Sequence, residues 1–469
     1  MKKCLSVIAL ALLVYSAFSS GTSRADSPYT VKTYPATCAA MNDQAAYDTS
    51  YLKSVWRIQQ GEEGWLSTSR RDFPPEFGLK DRIGAKELDR LVSYLAKQGI
   101  KLMLVYPPTR GLLYPELTRA SAAGYQVEDK RKAYITALQY FREKGIYVPD
   151  FASAFEHNGE PYLFFPKDAH WSQAGAIYFA KMIADEMAEL GYRDKGPARF
   201  ETTYSGIIAN NENIQNGVED LCDFSYPRLY VETHVTTELV SEEGLFTDEA
   251  TDDPHVVLIG TSFSAQRRFN FSGYIQQFSN IPVIDYSTTG GGFTGSWINY
   301  LKSGDFEKRK PDLIIWEVPG WWQFEARYFD AILPYFQNGC DSTNTMMLAS
   351  SVKLNPVSGK KNALFSTEFA NVRSKNLLFD VRFSHSNIEN VSVRAWFSSG
   401  LSKGFTLRRE PGTTTSGRFL SNLGLDHKYV NEGIVALDVE NISYRGKTSP
   451  PDKLTTDIRI CRSQLPYVD

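Results

Sequence analysis

Hydrophobic positions recur with two different periods along this chain, and the change of period marks its organisation. Between residues 80 and 320, helical and strand-like patterns alternate. Lys86–Gln98 puts Leu88, Leu91, Val92 and Leu95 on one face of a predicted helix, and Gly99 ends it. Lys101–Tyr106 follows as a continuous apolar strand stopped by Pro107 and Pro108. Asp129–Lys144 reads as a second helix, Tyr147-Val148 opens a short extended stretch, and Ser172–Leu190 reads as a third helix with Ser172 as its N-cap. The apolar runs His255–Ile259, Ile281–Asp285 and Asp312–Val318 are further buried strands. Apolar strands alternating with helices predict an α/β unit: a doubly wound, mostly parallel sheet covered by helices on both faces, with ligands at the carboxyl ends of its strands. After Cys340 the period becomes two. Phe379, Val381 and Phe383 alternate with other residues, as do Val391, Val393, Ala395 and Phe397, and then Val435, Leu437 and Val439. That pattern predicts an all-β sandwich or jelly roll. Glu232–Pro254, rich in acids and threonine, reads as a mobile loop.

Composition adds an address and a charge asymmetry. Met1-Lys2-Lys3, a 14-residue apolar run from Leu5 to Phe18, and Ser23-Arg24-Ala25 make a cleavable secretory signal over residues 1–25. The run falls short of the roughly 20 apolar residues of a transmembrane anchor, so none is expected. The remaining expected units are 26–342, the α/β unit, and 343–469, the β unit. An exported chain meets an oxidising compartment, where cysteines pair. Cys38, Cys222, Cys340 and Cys461 allow three pairings; Cys38–Cys222 with Cys340–Cys461 keeps each bridge in one half and is the expected one. The formal charge of −3 excludes a uniformly basic nucleic-acid coat, and no nucleic-acid partner is expected. It is unevenly spread: residues 343–469 hold 17 Lys and Arg against 11 Asp and Glu. A basic rear unit behind an acidic front one suggests that the rear meets a polyanion.

Chemistry-bearing residues cluster at the strand ends. Strand His255–Ile259 runs into Gly260-Thr261-Ser262, which places Ser262 where a nucleophile at a strand-to-helix turn would stand, although the GxSxG elbow is absent. Thr or Ser also caps a helix at such a place. A serine hydroxyl is a weak nucleophile; it needs an imidazole to take its proton and a carboxylate to fix that imidazole. Of the six histidines, His170 alone follows an aspartate, Asp168, in an extended loop before a helix. Candidate oxyanion donors are the backbone N–H groups of Ser262, Gly291 and Gly292. Tyr106 and Arg110 end a strand on the same predicted edge, and Glu317 with Trp321 and Trp322 follows the last strand; all are candidates for the substrate groove. Asp168 and His170 lack a third ligand, no CxxC pair exists, and no glycine-rich phosphate fingerprint appears, so neither metal nor cofactor is expected.

The Gly-Thr-Ser turn, the Asp-x-His-Trp-Ser loop and the doubly wound sheet together resemble the SGNH hydrolase superfamily. In the usual members the serine block comes first and an Asp-x-x-His block last; here Asp168-Ala169-His170 precedes Ser262 and is one residue shorter. This permuted order resembles the alginate O-acetyltransferase family. The resemblance implies that Ser262 accepts an acetyl group and passes it to a hydroxyl of mannuronate in alginate, with Asp168 and His170 completing a triad. It implies further that the C-terminal unit is a carbohydrate-binding module, that other proteins of the pathway supply the acetyl donor, and that the chain is tied to the alginate export complex. The departure from the usual blocks leaves the oxyanion donors open. A polymer with one carboxylate per sugar calls for a local basic surface. Arg394, Lys403, Arg408 and Arg409, with Trp396 among them, are the candidate polymannuronate-binding residues. Two other functions compete: a carbohydrate acetyl-esterase, which uses the same triad with water as acceptor, and a non-catalytic polysaccharide-binding scaffold with a decayed hydrolase fold, against which the intact Asp168, His170 and Ser262 argue.

Overall fold

The computed structural model describes residues 38–157, 159–239, 254–341, 346–355, 362–413, 417–422, 429, 431–446 and 451–465; the expected signal segment lies outside them. Eight strands among the described residues precede Cys340: β1 (Ile58–Gln60), β2 (Leu66–Thr68), β3 (Lys101–Val105), β4 (Phe200–Ala209), β5 (Tyr230–Glu238), β6 (Val256–Ile259), β7 (Val283–Asp285) and β8 (Leu313–Glu317). Four of them form the central sheet in the order β3-β8-β6-β7, every pair parallel. All residues of β6 and β8 are buried, which is why these strands read as continuous apolar runs and not as alternation.

The expected helices form with shifted ends. Arg82–Lys97 starts at Asp81, whose carboxylate accepts the Ile83 and Gly84 N–H groups. Val127–Glu143 is the second. Gln173–Glu189 is capped by the Ser172 hydroxyl, which accepts the Gly175 N–H at 3.1 Å. Gly175 has to be glycine, since a Cβ there would lie 1.9 Å from the Leu163 carbonyl oxygen.

One expectation fails outright. The first part of Glu232–Pro254 is not loop: β5 runs to Glu238 and pairs antiparallel with β4. Val231, Thr233, Val235 and Thr237 alternate along it, and their β-branched preference for extended backbone outweighs the acidic composition. Residues 240–253 lie outside the described residues.

Eight further strands make the C-terminal unit: β9 (Met346–Leu354), β10 (Asn362–Arg373), β11 (Leu377–Phe383), β12 (Ile388–Phe397), β13 (Ser402–Arg408), β14 (Arg418–Asn422), β15 (Gly433–Tyr444) and β16 (Leu454–Arg462). They form two four-stranded antiparallel sheets, β10-β15-β12-β13 and β14-β11-β16-β9. The alternating residues Phe379, Val381, Val391, Val393, Leu437 and Val439 meet in one core with Ile458 and Ile460. This sandwich follows the period-two pattern.

Cys38 is bonded to Cys222 and Cys340 to Cys461. The first bridge fastens a small satellite core (Met41, Leu52, Val55, Ile214 and Val218) that also takes in Ala169 and the ring of Trp321. The β unit docks on the α/β unit through its 409–413 loop. Thr294 Oγ1 donates to Glu410 at 2.6 Å, Asn299 donates to the Gly412 carbonyl at 3.1 Å, and Gly412, at φ +68°, sits where a Cβ would come within 2.7 Å of Gly291 Cα. No helix among the described residues is long and apolar enough to cross a membrane.

Candidate functional site

Ser262 opens a four-residue helix at the carboxyl end of β6, and Thr261 is its N-cap. The turn is braced from the neighbouring strand. Glu317, the last residue of β8, accepts the Thr261 N–H at 2.7 Å, the Thr261 hydroxyl at 2.9 Å and the Ser264 hydroxyl at 3.1 Å. Burial pushes the Glu317 carboxyl up to about 7, against the opposing pull of these donors. Glu317 is therefore a brace beneath the serine turn and not a wall of a sugar groove. Gly260 lets the turn close: a Cβ there would fall 2.6 Å from Ser264 Oγ and 2.8 Å from Ser287 Oγ.

His170 reaches Ser262 from the other side of the chain's order. Its Nε2 lies 2.7 Å from Ser262 Oγ and its Nδ1 2.6 Å from Asp168 Oδ1. With the ring proton on Nδ1 facing the carboxylate, Nε2 is left to accept the serine hydroxyl. Asp168 also accepts the His170 backbone N–H at 3.1 Å, and Arg268 donates to its other oxygen at 3.1 Å. Burial by itself would raise the Asp168 carboxyl; His170 and Arg268 outweigh it and hold the group well below the usual carboxylate range. The imidazole packs on the rings of Phe263 and Phe269.

Two expected groove residues serve the scaffold instead. Arg110 is fully buried: Nε and Nη2 grip Asp72 at 2.7 and 2.8 Å, and Nη1 donates to the carbonyls of Phe165, Pro166 and Asp168 at 2.9, 3.1 and 3.0 Å. It splints the histidine loop and contacts no solvent-facing surface. Tyr106 is buried too; its hydroxyl donates to the Trp322 carbonyl at 2.8 Å and accepts the Gly78 N–H at 3.2 Å. Tyr106 directly follows β3 and Arg110 opens the short helix Arg110–Leu113 a few residues on, where neighbouring loops cover both.

A pocket of about 310 Å³ opens over Ser262 and His170, with Trp321 and Trp322 in its wall. Gly292 lines it as well; Gly291 does not, and its N–H is spent on the Thr288 carbonyl at 3.1 Å, which removes it as an oxyanion donor. Among the described residues the Ser262 N–H meets no acceptor. Sequence reasoning missed Arg70, Arg71 and Asn213 on this wall, and Arg268 behind Asp168. Asn213 Oδ1 accepts the Ala169 N–H at 3.1 Å, so its amide NH₂ is the end left to donate. None of these positions had a local pattern that could flag it.

The proposed basic cluster of the β unit comes apart into separate pairs. Trp396 is exposed on the outer face of β12, its Nε1–H donating to Asp438 at 2.9 Å. Arg394, two residues earlier on that face, forks onto Glu440 at 2.6 and 3.2 Å. Lys403 is in register with buried Ala395 and so belongs to the opposite face. Arg409 turns to the Thr413 carbonyl at 3.0 and 2.7 Å, with Glu389 3.9 Å away. Arg408 shares the outer face with Arg394 but stands opposite Asn390, four residues along, or about 13 Å away. Glu440 on an adjoining strand, invisible in a count of charge along the chain, takes up Arg394, and the other three basic residues lie apart from it.

Comparison with known proteins agrees with this architecture. A family described as an SGNH hydrolase-like domain, acetyltransferase AlgX, matches residues 58–320, more than half of the chain, and a C-terminal carbohydrate-binding module matches residues 339–466. The alginate biosynthesis protein AlgX of Pseudomonas aeruginosa is 28% identical over 431 residues, covering 91% of this chain and 88% of that protein. The probable alginate O-acetylase AlgJ of the same organism is 27% identical over 305 residues, 61% of this chain and 76% of that one. The solved structure of Pseudomonas aeruginosa AlgX superposes with a TM-score of 0.77 at 27% identity, covering 91% of this chain and 99% of that one. A parallel α/β unit with a serine at the end of its central strand, joined to a β-sandwich module, is thus accompanied by a match across both units, and the chain belongs to the SGNH hydrolase-like acetyltransferase family of AlgX.

Proposed function

We propose that the protein is an O-acetyltransferase that moves acetyl groups through an acetyl-Ser262 intermediate onto hydroxyls of mannuronate residues in alginate, while its C-terminal module holds the polymer. The observation that carries this reading is the hydrogen-bonded line from Ser262 Oγ through His170 to Asp168 at the floor of a pocket walled by tryptophan. In the first half-reaction His170 Nε2 takes the Ser262 proton as Oγ attacks the acetyl carbonyl carbon of the donor ester. The Ser262 N–H, with the N–H of Gly292 or the amide of Asn213, supports the negative oxygen. The tetrahedral intermediate expels the donor alcohol, which leaves with the proton from His170. In the second half a sugar hydroxyl gives its proton to His170 and attacks the acetyl-serine; the sugar ester forms and Ser262 recovers its proton.

Asp168, kept ionised, steadies the imidazolium in both halves. Transfer prevails over hydrolysis when the acceptor outcompetes water, and a module that binds the same polymer raises its local concentration. The names of the relatives AlgX and AlgJ supply alginate as the acceptor polymer. Two disulfides support work in an oxidising compartment, and we place the protein in the periplasm beside the proteins that bring the acetyl donor and export the polymer.

The test is mass spectrometry of defined mannuronate oligomers incubated with the protein and a soluble acetyl donor, beside Ser262→Ala. Acetyl mass on the oligomers, absent with the variant, supports the proposal. Acetate release with bare oligomers would make it an esterase, and oligomer binding with no donor turnover would leave a polysaccharide-binding scaffold.

A further inference from the structure

We propose that Arg70 and Arg71 form a carboxylate-binding subsite inside the Ser262 pocket, which reads the uronate group of the sugar whose hydroxyl is to be acetylated. The inference rests on the acyl-transfer reading and adds what selects the acceptor at the reacting centre itself, apart from the module. Both arginines stand on the short helix Ser69–Asp72 and line the same pocket as His170, Ser262 and Trp321.

The charges around them are already matched to other partners. Asp72 is gripped by Arg110 at 2.7 Å, and Asp168 is shared by His170 at 2.6 Å and Arg268 at 3.1 Å. Among the described residues neither Arg70 nor Arg71 has a carboxylate within ion-pair distance. Arg71 donates to Ser54 Oγ at 3.1 Å and lies over the Trp321 ring, 6.0 Å from its centre. Burial lowers the Arg71 pKa, against the opposite influence of Asp168 and Asp72. Arg70 is exposed and Arg71 partly so, which leaves both open to an incoming anion, and the planar guanidinium fork fits a carboxylate with two parallel hydrogen bonds. Nothing in the chemistry assigned to Ser262 and His170 uses these two cations. A hexuronate carries its carboxylate and its secondary hydroxyls on different sides of the ring, so a grip on the former, with the ring against Trp321, turns the latter to the serine.

The test reads occupancy of this pocket and needs no transfer. Phenylmethylsulfonyl fluoride sulfonylates an activated serine with loss of fluoride, and intact-mass spectrometry follows the labelling of Ser262. The readout is the ratio of labelling rates without and with a mannuronate trimer, which cancels any change in the nucleophile. In the natural chain the trimer should slow labelling about tenfold and its methyl ester much less. In R70Q/R71Q the ratio should fall towards one, while R71K, which keeps the charge and loses the fork, retains part of the protection. Titration of the same trimer, which needs no reactive serine, should show Kd raised about tenfold in the double variant. Equal protection by the methyl ester, or an unchanged ratio and Kd in the double variant, would overturn the subsite. Protection that follows this pattern without acetyl ever reaching the oligomer would end the transferase reading and leave the subsite standing.

Discussion

The two units handle charge in opposite ways. In the α/β unit, Arg110 and Asp72 are each about 1% exposed and lock the histidine loop from beneath. On the outer sheet of the module, Arg394 and Glu440 are 34% and 25% exposed and lie on adjoining strands. A buried pair cannot lose one partner without stranding a desolvated charge, so it acts as a permanent part of the frame. A partly exposed pair is screened and opens cheaply, so on the proposed function Arg394 would exchange Glu440 for a sugar carboxylate, with the Trp396 face beside it. The same residue type is thus scaffold in one unit and exchangeable contact in the other, and burial is what separates them. Arg70 and Arg71 fall between: at the pocket like a binding group, beside Asp72 and Asp168 like the scaffold, and matched to neither.

The strongest challenge to this contrast is Ser262→Ala, which should lower acetyl transfer by on the order of a thousandfold or more and leave oligomer binding to the module measurable by titration. Loss of both would mean that the units do not divide the work. Next is Arg110→Ala, expected to cost about 3–5 kcal/mol of stability in denaturant unfolding because Asp72 is left buried and unpaired. A loss below about 1 kcal/mol would erase the distinction between its pair and that of Arg394.

The pH dependence tests the serine brace. Glu317 is raised to about 7 in the fold, so the stability it contributes is complete below the ordinary carboxylate value and is lost as pH rises through about 7. The melting temperature should fall between about pH 4.5 and 7, and Glu317→Gln should lessen that fall. The slope will not vanish, because Glu87 and Glu212 are also raised to about 7. Smallest is Trp396→Ala, expected to weaken polymer binding several-fold, about 1 kcal/mol, in a titration at low salt. An unchanged affinity would move the polymer to another face of the module.

What was legible in the sequence is what repeats or lies close together. The apolar runs of β3, β6 and β8, the helix capped by Ser172 and the period-two strands of the module carry their own pattern, because burial on two faces, one stripe or one face leaves a distinct spacing. Asp168 and His170 were visible because only Ala169 separates them, and Ser262 because it follows a strand at a glycine turn. The Cβ-free Gly260 and Gly175 make sense only against the atoms that crowd them. Arg110 shows the limit most plainly. Its place after a strand pointed to the substrate groove, yet Asp72, 38 residues earlier, and the carbonyls of the loop at 165–168 draw it into the interior.

The scatter of the basic cluster has the same cause. Arg394 and Glu440 are 46 residues apart in the chain and meet diagonally across paired strands, where Arg394 stands in register with Asp438. The sequence by itself determined the two fold classes, the positions of the candidate reacting side chains along the chain and the stock of charges. Tertiary structure alone decided which charges meet, because a pairing energy depends on distance and burial, and neither is a property of chain order.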